Sequence, residues 1–372
     1  MALAFAAAGI WLYLLFGRGG FWRMRDSSFE GRPRPPAPRI VAVVPARNEA
    51  AVVGRSIASL VRQRYPGEFH IVLVDDDSTD GTADAARSVA PPGLLTVIRG
   101  AALPKGWTGK LWAVSQGVSH AARFDPDYLL LTDADIVHPA GNLAELAARA
   151  ASGGYDLVSY MATLQCRTPA ERAIVPAFVF FFFLLYPPAW ISSARHTTAG
   201  AAGGCMLIRR AALERIGGIR SIAGELIDDC ALARAVKGRG GRVWLGLSAG
   251  TRSIREYATF GEIGSMISRS AFTQLHHSAL LLLGTVLGLA ITYAAPPVLA
   301  IAGGGWARAI GICTWMTMSA AYFPALRYYR RSPLWAPLLP AVAAFYLGAT
   351  VHSAVSYWRG SGGKWKGRVQ DG

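Results

Sequence analysis

Two aspartates one residue apart, Asp133 and Asp135, follow the apolar run YLLL at residues 128–131. Paired carboxylates can hold a divalent cation such as Mg²⁺ or Mn²⁺, and a cation held there can neutralise a diphosphate leaving group. The same two residues would also suit an ordinary turn with solvated side chains. Their position directly after a strand-like run favours the metal-binding interpretation.

A longer acidic segment, DDDSTDGT, follows the apolar run at residues 71–74. So many polar side chains are costly beside a buried strand unless they cap a helix or meet a ligand. Asp75 and Asp76 lie closest to the strand, where a carboxylate can accept hydrogen bonds from a nucleoside base or ribose. Thr79 or Asp80 could simply cap the next helix.

Lys110 and the acid pair Asp228 and Asp229 are the remaining candidates for chemistry. Lys110 follows Gly109, which lets the backbone approach a ligand closely, so it is a candidate diphosphate contact. A solvated surface charge is the plainer interpretation. The two aspartates open a predicted helix and could merely complement its dipole. A hydroxyl group that attacks a carbon bearing a diphosphate must lose its proton, however, and Asp229 is the predicted carboxylate base.

Apolar runs that alternate with helical periodicity must position these side chains. The predicted strands are almost wholly apolar, which indicates a mainly parallel sheet covered on both faces. In such sheets ligands bind beyond the carboxyl ends of the strands, where the polar segments lie. Asn48 is a plausible cap of the first helix. The predicted strands are residues 40–44, 71–74, 94–98 and 128–131, and the predicted helices are residues 48–64 and 82–89.

Composition restricts the partners. The chain has 38 Lys and Arg residues against 23 Asp and Glu, a net charge of +15, and 52% of its 372 residues are hydrophobic. This balance suits phosphate-bearing ligands and anionic lipid surfaces. Nucleic acid is disfavoured, because the basic residues cluster beside apolar runs without interleaved aromatic side chains. Four cysteines without metal-binding spacing are predicted to be small apolar fillers in a reducing compartment.

Apolar runs at both ends of the chain predict membrane attachment. Arginines follow residues 2–17 and none precedes them. This favours an uncleaved anchor, with its C-terminal side in the cytoplasm, over a cleaved signal peptide. A stiff Pro-rich spacer, residues 31–39, comes next. Residues 278–302, 309–325 and 334–357 are predicted membrane segments.

The predicted segments leave two questions open. Three crossings after a cytoplasmic domain would put Lys364, Lys366 and Arg368 outside, against the positive-inside rule. Either one segment is re-entrant, or the number of crossings differs. The apolar run 173–191 is either a buried core helix or an apolar platform on the membrane, where a lipid acceptor approaches. Its aromatic residues and double proline argue against a regular span.

Six segments together resemble family 2 glycosyltransferases over about residues 38–275. A narrower likeness, to the hopene-associated (hopanoid biosynthesis) glycosyltransferases, comes from GWTGKLWA, from SRSAFTQL at 268–275 and from WKGR at 365–368. That group is similar to ceramide glucosyltransferases. The QxxRW motif of the processive synthases is not matched after Asp229, which speaks against polymerisation. The six segments are PARNE at 45–49, VDDDSTDGT at 74–82, GWTGKLWA at 106–113, TDAD at 132–135, GGCMLIRRAAL at 203–213 and IDDCALA at 227–233.

The resemblance implies a GT-A fold and an inverting, single-displacement transfer from a nucleotide sugar, with a UDP-sugar favoured. It implies that Asp133 and Asp135 bind the metal and diphosphate, and that Asp229 is the general base with Asp228 beside it. The nucleotide-sugar contacts expected from the motifs are Pro45, Arg47, Glu49, Asp75, Asp76, Lys110 and Asp133.

These predictions combine into an α/β GT-A domain with N-terminal and C-terminal transmembrane helices. We expect a multi-pass protein of the inner (cytoplasmic) membrane whose catalytic domain faces the cytoplasm and gives a single sugar to a lipid, with a hopanoid as one candidate. A polyprenyl-phosphate glycosyltransferase and, less well supported, a nucleotidyltransferase are the alternatives. The predicted parts are an anchor (1–18), a basic linker (19–39), the glycosyltransferase domain (40–275), a transmembrane region (276–358) and a basic tail (359–372).

Overall fold

The computed structural model describes residues 1–28, 33, 36–360, 364–365 and 368–369. The chain divides into two compact units. The first, called the sheet unit here, comprises residues 26–165 and 190–255 with the described residues from 364 onward. The second, called the helical unit, comprises residues 1–25, 166–189 and 256–360.

Ten strands occur in the described residues. They are β1 Ile40–Ala46, β2 Phe69–Asp75, β3 Leu95–Arg99, β4 Tyr128–Leu131, β5 Ile136–Val137, β6 Leu157–Thr163, β7 Met206–Arg209, β8 Val243–Ser253, β9 Lys364–Trp365 and β10 Arg368–Val369. The first eight form one sheet in the order β3-β2-β1-β4-β7-β6-β8-β5, and β9 and β10 form a separate antiparallel pair. Within the large sheet only β7 and β5 run antiparallel to their neighbours.

Helices cover the sheet or form the helical unit. The α-helices are α1 Ala2–Leu12, α2 Ala50–Val61, α3 Thr82–Arg87, α4 Gly109–Ala121, α5 Asn142–Gly153, α6 Pro169–Leu185, α7 Pro188–Ile191, α8 Arg210–Arg215, α9 Asp228–Gly238, α10 Phe260–Ala271, α11 Ala279–Leu289, α12 Ala295–Ala302, α13 Gly305–Tyr328 and α14 Leu339–Trp358. Two π-helical turns, Tyr13–Gly17 and Ala290–Ala294, and four short 3₁₀ helices complete the list: Ala122–Phe124, Ile219–Ile222, Thr273–Leu275 and Pro333–Leu338.

The predicted mainly parallel α/β fold is confirmed. All seven residues of β1 and all four of β4 are buried, as expected for central strands covered on both faces. The core of the sheet unit packs residues of β1, β2 and β4 against α2 and α5. The polar segments after the strands are therefore held by a rigid scaffold.

The predicted cap at Asn48 is wrong. Asn48 has a φ of 50°, in the left-handed region, and its side-chain oxygen accepts a hydrogen bond from the Thr79 N–H instead. The α2 helix begins at Ala50, and its N–H donates to the carboxylate of Asp80 over 2.9 Å. Asp80 thus caps α2 from a distant loop, which sequence proximity alone does not reveal.

The helical unit contains apolar helices of membrane-spanning length. Four stretches among the described residues are long and apolar enough to cross a bilayer: Pro169–Ile191, Ala279–Ala302, Gly305–Tyr328 and Pro333–Trp358. The N-terminal apolar helix Ala2–Gly17 is shorter. The run that includes residues 173–191 belongs to this unit up to Ala189, and its helix breaks between Leu185 and Pro188, at the double proline.

Some predictions need correction or lie outside the description. All four cysteines are free, and Cys205 and Cys230 are buried as predicted, whereas Cys313 is exposed on α13, so the filler interpretation is wrong there. Residues 31, 32, 34 and 35 of the predicted spacer and most of the predicted basic tail, including the middle of WKGR, are outside the described residues.

Candidate active site

Three polar segments leave the sheet at the same edge. The strands β2, β1 and β4 are parallel neighbours, with Asp75 paired to Ala46 and Leu131 paired to Val43. The carboxyl ends of parallel neighbours meet at one edge of the sheet. The acidic segments after β2 and β4 and the PARNE segment after β1 are therefore adjacent, as the sequence predicts.

Lys110 joins two of the predicted acidic groups. Its Nζ lies 2.9 Å from Asp133 Oδ1 and 3.0 Å from Asp228 Oδ2. Lys110 is in the first turn of α4, whose N-cap Thr108 accepts a hydrogen bond from the Leu111 N–H. Asp228 is in the first turn of α9. The ammonium group therefore links the strand end that carries the predicted metal ligand to the helix that carries the predicted base.

The charges of this cluster are strongly coupled. Burial by itself would lower the pKa of Lys110, but the carboxylates of Asp133, Asp228 and Asp229 raise it, so the ammonium group stays charged. Burial raises the pKa of Asp133, with Lys110 opposing it and Asp135 and Asp228 adding to it. Anionic groups packed this closely need a cation, and Lys110 supplies one from the protein itself.

Asp229 is held by backbone donors at the start of α9. Its Oδ2 accepts a hydrogen bond from the Gly203 N–H over 2.9 Å, and its Oδ1 accepts one from the Cys230 N–H over 2.7 Å. Burial and the neighbouring Asp228 raise the pKa of Asp229 to about 6, while Lys110 and the two N–H donors lower it. A carboxylate with this pKa can take up a proton near neutral pH.

Gly203 belongs to the site although sequence reasoning did not single it out. A Cβ atom at this position would lie 3.2 Å from Lys110 Nζ and 3.5 Å from Asp229 Oδ2. A side chain at this position would be in van der Waals contact with Asp229 and would crowd the end of the Lys110 side chain, so glycine leaves both charged groups room. The Gly203-Gly204 pair before the apolar strand β7 is the signal that could have identified it.

Asp135 is held by groups that sequence reasoning missed. Its Oδ2 accepts hydrogen bonds from Ser253 Oγ over 2.9 Å and from Arg255 Nε over 3.2 Å. The same guanidinium group donates from Nη2 to Glu49 Oε1 over 2.5 Å. Arg255 thus connects the predicted metal ligand Asp135 with the predicted nucleotide contact Glu49, and nothing in the local sequence around position 255 indicates this.

The predicted nucleoside residues form a second, adjacent group. Asp76 is buried, and its backbone carbonyl accepts a hydrogen bond from Arg47 Nη1 over 2.5 Å, while its carboxylate lies 3.6 Å from the same nitrogen. Asp75 is half-buried and accepts a hydrogen bond from the Ser78 N–H. These contacts keep Arg47 and the two acids together at the end of β2.

A narrow pocket lies between the charged residues and an apolar wall. Lys110, Asp133 and Asp228 line it together with Pro45 and Gly203. The apolar wall is formed by Leu111, Val114, Leu131, Met206, Ile219, Ile222 and Leu232. Pro45 from PARNE, Asp133 from TDAD and Asp228 therefore share one pocket.

The acidic residues fit a metal ion that shares its coordination with a ligand. Among the described residues, no group of three His, Cys, Asp or Glu side chains could hold a metal ion alone. Asp133 and Asp135 offer hard carboxylate oxygens, and Mg²⁺ commonly takes one or two carboxylates and completes its shell with water and phosphate. These two carboxylates suit a divalent cation that binds together with a diphosphate. They do not resemble a permanent structural metal site.

Comparison with known families agrees with this geometry. The family model described as glycosyl transferase family 2 matches residues 41–217. This segment is a glycosyl transferase family 2 domain. The family 2 domain contains the β1, β2 and β4 strand ends, Lys110 and Gly203, whereas Asp228, Asp229 and Arg255 follow it in the chain.

Curated relatives match a limited part of the chain. The 4,4'-diaponeurosporenoate glycosyltransferase of Staphylococcus aureus strain bovine RF122 / ET3-1 is 34% identical over 97 residues, which are 26% of this chain and 24% of that protein. The enzyme of strain USA300 is 34% identical over 98 residues, with the same coverage. The chain thus matches about a quarter of the length of these relatives.

A solved structure extends the likeness of fold to nearly the whole chain. A mannosyltransferase from Pyrobaculum calidifontis, determined with GDP-Man and Mn²⁺, matches 95% of this chain and 98% of its own. The TM-score is 0.54 and the sequence identity is 19%. The fold around the family 2 domain is therefore of the GT-A type.

Proposed function

We propose that this chain is a membrane-bound glycosyltransferase that moves one sugar from a nucleotide sugar to a lipid acceptor with inversion at the sugar carbon. The observation that carries the proposal is the position of Lys110, within 3.0 Å of both Asp133 and Asp228 in a single pocket. Glycosyl transfer needs a group that binds the donor's diphosphate close to a group that deprotonates the acceptor's hydroxyl, and Lys110 lies between the residues proposed for these two roles. The family 2 domain and the GT-A fold support the reaction class.

The donor is held at the strand ends. Arg47, Asp75 and Asp76 bind the nucleoside, and Lys110 contacts the diphosphate after exchanging its carboxylate partners for phosphate oxygens. Asp133 and Asp135 would hold Mg²⁺ or Mn²⁺, which would supply positive charge to neutralise the leaving diphosphate. Arg255 and Ser253 orient the Asp135 carboxylate for this purpose.

Transfer requires one proton movement and one substitution. The acceptor hydroxyl oxygen attacks the anomeric carbon, the bond from that carbon to the diphosphate oxygen breaks, and the nucleoside diphosphate leaves. The hydroxyl proton passes to Asp229, whose raised pKa suits a base at neutral pH. Asp228 positions Lys110 beside the base before the donor binds and is not itself the proton acceptor.

A lipid acceptor is supported by the helical unit and by the relatives. Four helices are long and apolar enough to cross a membrane, and the S. aureus relatives are 4,4'-diaponeurosporenoate glycosyltransferases. We further propose a UDP-sugar donor, a hopanoid among the acceptors, and residence in the cytoplasmic membrane with the family 2 domain in the cytoplasm. The arginine-rich segment after residue 17 supports this orientation.

The first prediction concerns the assigned roles. Full-length protein in nanodiscs is incubated with a panel of UDP- and GDP-sugars, Mg²⁺ or Mn²⁺, and a lipid extract containing hopanoids, and both lipid-linked and free sugar are measured. Asp133→Asn should lose donor binding. Asp229→Asn should retain donor binding but transfer about 10²- to 10⁴-fold more slowly, because the base is removed.

The control is Asp84→Asn, which removes an exposed carboxylate on α3 that pairs with Arg87 at the surface. It should behave as the wild type. Unchanged transfer by Asp229→Asn would remove this residue as the base. Absence of transfer from every donor by the wild type, to every lipid in the extract, would refute the proposed activity.

A further inference from the structure

A buried histidine lies directly behind the metal-binding strand end. His138 is 4% exposed, and its Nε2 lies 2.9 Å from the hydroxyl oxygen of Thr132, the residue before Asp133. Its Nδ1 lies 3.0 Å from Asn142 Nδ2. Both ring nitrogens are therefore engaged inside the core of the sheet unit. No step of the proposed transfer uses this residue.

The hydrogen bonds among these side chains have only one possible set of donors and acceptors. Thr132 Oγ1 donates to the carbonyl oxygen of Gly204 over 2.7 Å, because a carbonyl can only accept. Thr132 has no second proton, so it must accept from His138, which fixes the proton on Nε2. Nδ1 is then bare and accepts from the Asn142 amide.

The chain continues to a second strand of the sheet. The side-chain oxygen of Asn142 accepts from Thr251 Oγ1 over 3.1 Å, and Ser248 Oγ lies 3.3 Å from that hydroxyl. Thr132, Asn142, Thr251 and Ser248 are all at most 2% exposed. The backbone N–H of His138 also donates to Ser59 Oγ over 3.0 Å. Burial lowers the pKa of His138 to about 4, so the ring is neutral, as this pattern requires.

The hydrogen-bonded series ends beside both halves of the candidate active site. Thr132 directly precedes Asp133 at the end of β4. Gly204 directly follows Gly203, whose N–H holds the Asp229 carboxylate. The Thr132 hydroxyl accepts a hydrogen bond from His138 and donates one to Gly204. It therefore connects the metal-binding strand end to the backbone segment that positions the base.

We propose that His138 is a positioning residue that, through Thr132, sets the spacing between the donor site at Asp133 and the base Asp229. This inference rests on the proposed function, because that spacing matters only where a donor's sugar carbon and a deprotonated acceptor must meet. Misplacing reacting groups by about 1 Å can cost roughly 100-fold in rate without weakening substrate binding. The expected signature is slower transfer with an unchanged donor KM.

The experiment compares variants with and without a hydroxyl group at position 132, and variants with and without an N–H donor at position 138. Thr132→Val and His138→Phe should lower kcat for transfer by at least about tenfold. Both should leave the donor KM within about twofold and raise the proportion of donor lost to hydrolysis. Thr132→Ser keeps the hydroxyl and His138→Gln keeps an N–H donor, so the first should match the wild type and the second should recover part of kcat.

Tyr160→Phe is the matched control for stability. It removes a buried hydroxyl that bonds to Glu145 in the same unit and that is not itself a member of this chain of hydrogen bonds. It should lower Tm as much as Thr132→Val does while leaving kcat of the folded fraction unchanged. Equal kcat in Thr132→Val and Tyr160→Phe would overturn the proposal and reduce His138 to a structural residue.

A readout that is independent of transfer separates this proposal from the proposed function. In ¹⁵N-histidine-labelled protein, with the His138 signals identified by their loss in His138→Gln, the ring should be neutral and protonated at Nε2 from about pH 5.5 to 8. A proton at Nδ1 would refute the hydrogen-bond direction. If the wild type transfers no sugar yet the ring is protonated at Nε2, the proposed function fails, and the positioning role fails with it while the hydrogen-bond direction stands. If the wild type transfers sugar and the ring is protonated at Nδ1, the positioning role alone fails.

Discussion

At the scale of single residues, Asp229 connects local structure to reactivity. Two backbone N–H groups would hold an ordinary carboxylate at low pKa, but burial and Asp228 outweigh them. Lys110 reduces the electrostatic repulsion between the neighbouring carboxylates Asp133 and Asp228. The residue environment therefore produces a carboxylate whose charge changes near pH 6.

Transfer should decline on the acidic side of pH 6. The raised pKa means that Asp229 is charged above about pH 6 and protonated below it. A base must be charged to accept the hydroxyl proton, so kcat should fall about tenfold per pH unit on the acidic limb. The measurement is kcat at saturating donor and acceptor from about pH 5 to 8. The same limb in the residual activity of Asp229→Asn would assign it to another group.

The raised pKa of Asp229 also lowers the stability of the folded protein at neutral pH. The folded carboxyl group binds its proton more tightly than the unfolded one, whose ordinary value is 3.8. Stability is therefore lost as the pH rises from about 4 through 6, and the loss persists above pH 6. Asp229→Asn should accordingly unfold at a higher temperature than the wild type at pH 7.5, even though it transfers sugar more slowly.

At the scale of elements, the close packing of α4 on the sheet places Lys110. Gly117 lies two turns along this helix, and a Cβ atom there would come 2.4 Å from Val43 Cγ1 and 3.0 Å from Val74 Cγ2. Both valines are fully buried in central strands and have no room to move. The glycine thus determines how near α4 lies to β1 and β2.

Gly117→Ala should destabilise the sheet unit by about 1–3 kcal/mol, the usual cost of overpacking a core. Because the helix must move outward, Lys110 should also contact the donor less well, and the donor KM should rise. Denaturant unfolding and donor kinetics measure the two effects. Gly238→Ala on α9 is the control, since a Cβ atom there meets nothing within 4 Å. Equal stability of the two variants would contradict this packing argument.

At the scale of the whole molecule, large apolar side chains remain exposed on the helical unit. Leu280 is 77% exposed and Leu283 is 55% exposed on α11, and Trp306 is 79% exposed on α13. Side chains of this kind are unfavourable in water over several helices of spanning length. A lipid environment is the one in which this surface is stable.

The chain should therefore stay in the membrane pellet after an alkaline carbonate wash. Replacing Leu287 and Met316 together by Lys should release a measurable fraction, because both lie near the middle of their apolar stretches, and a lysine near the centre of a spanning helix costs about 2.5–3.5 kcal/mol on insertion. Val89→Lys, at an exposed apolar position in the sheet unit, is the control and should change nothing. Release of the wild type by the wash would contradict the membrane assignment.

The local pattern of the chain was sufficient for the α/β fold and for the acidic strand ends. Strands such as 128–131 are apolar throughout, and the polar residues begin where each strand ends, so Asp75, Asp76, Asp133 and Asp135 could be placed by counting from the strands. The cap of α2 could not, because its donor-acceptor pair joins Ala50 to Asp80.

What the sequence by itself determined is therefore the parallel sheet, the apolar helices and the acids at the strand ends, because each depends on residues that are near one another in the chain. Only the tertiary structure decided that Lys110 pairs with Asp228, that the Gly203 N–H bonds to Asp229, and that Arg255 holds Asp135 from 120 residues away. Contacts of that range are set by the order of strands and by helix packing, and neither is written in the residue types at the contact itself.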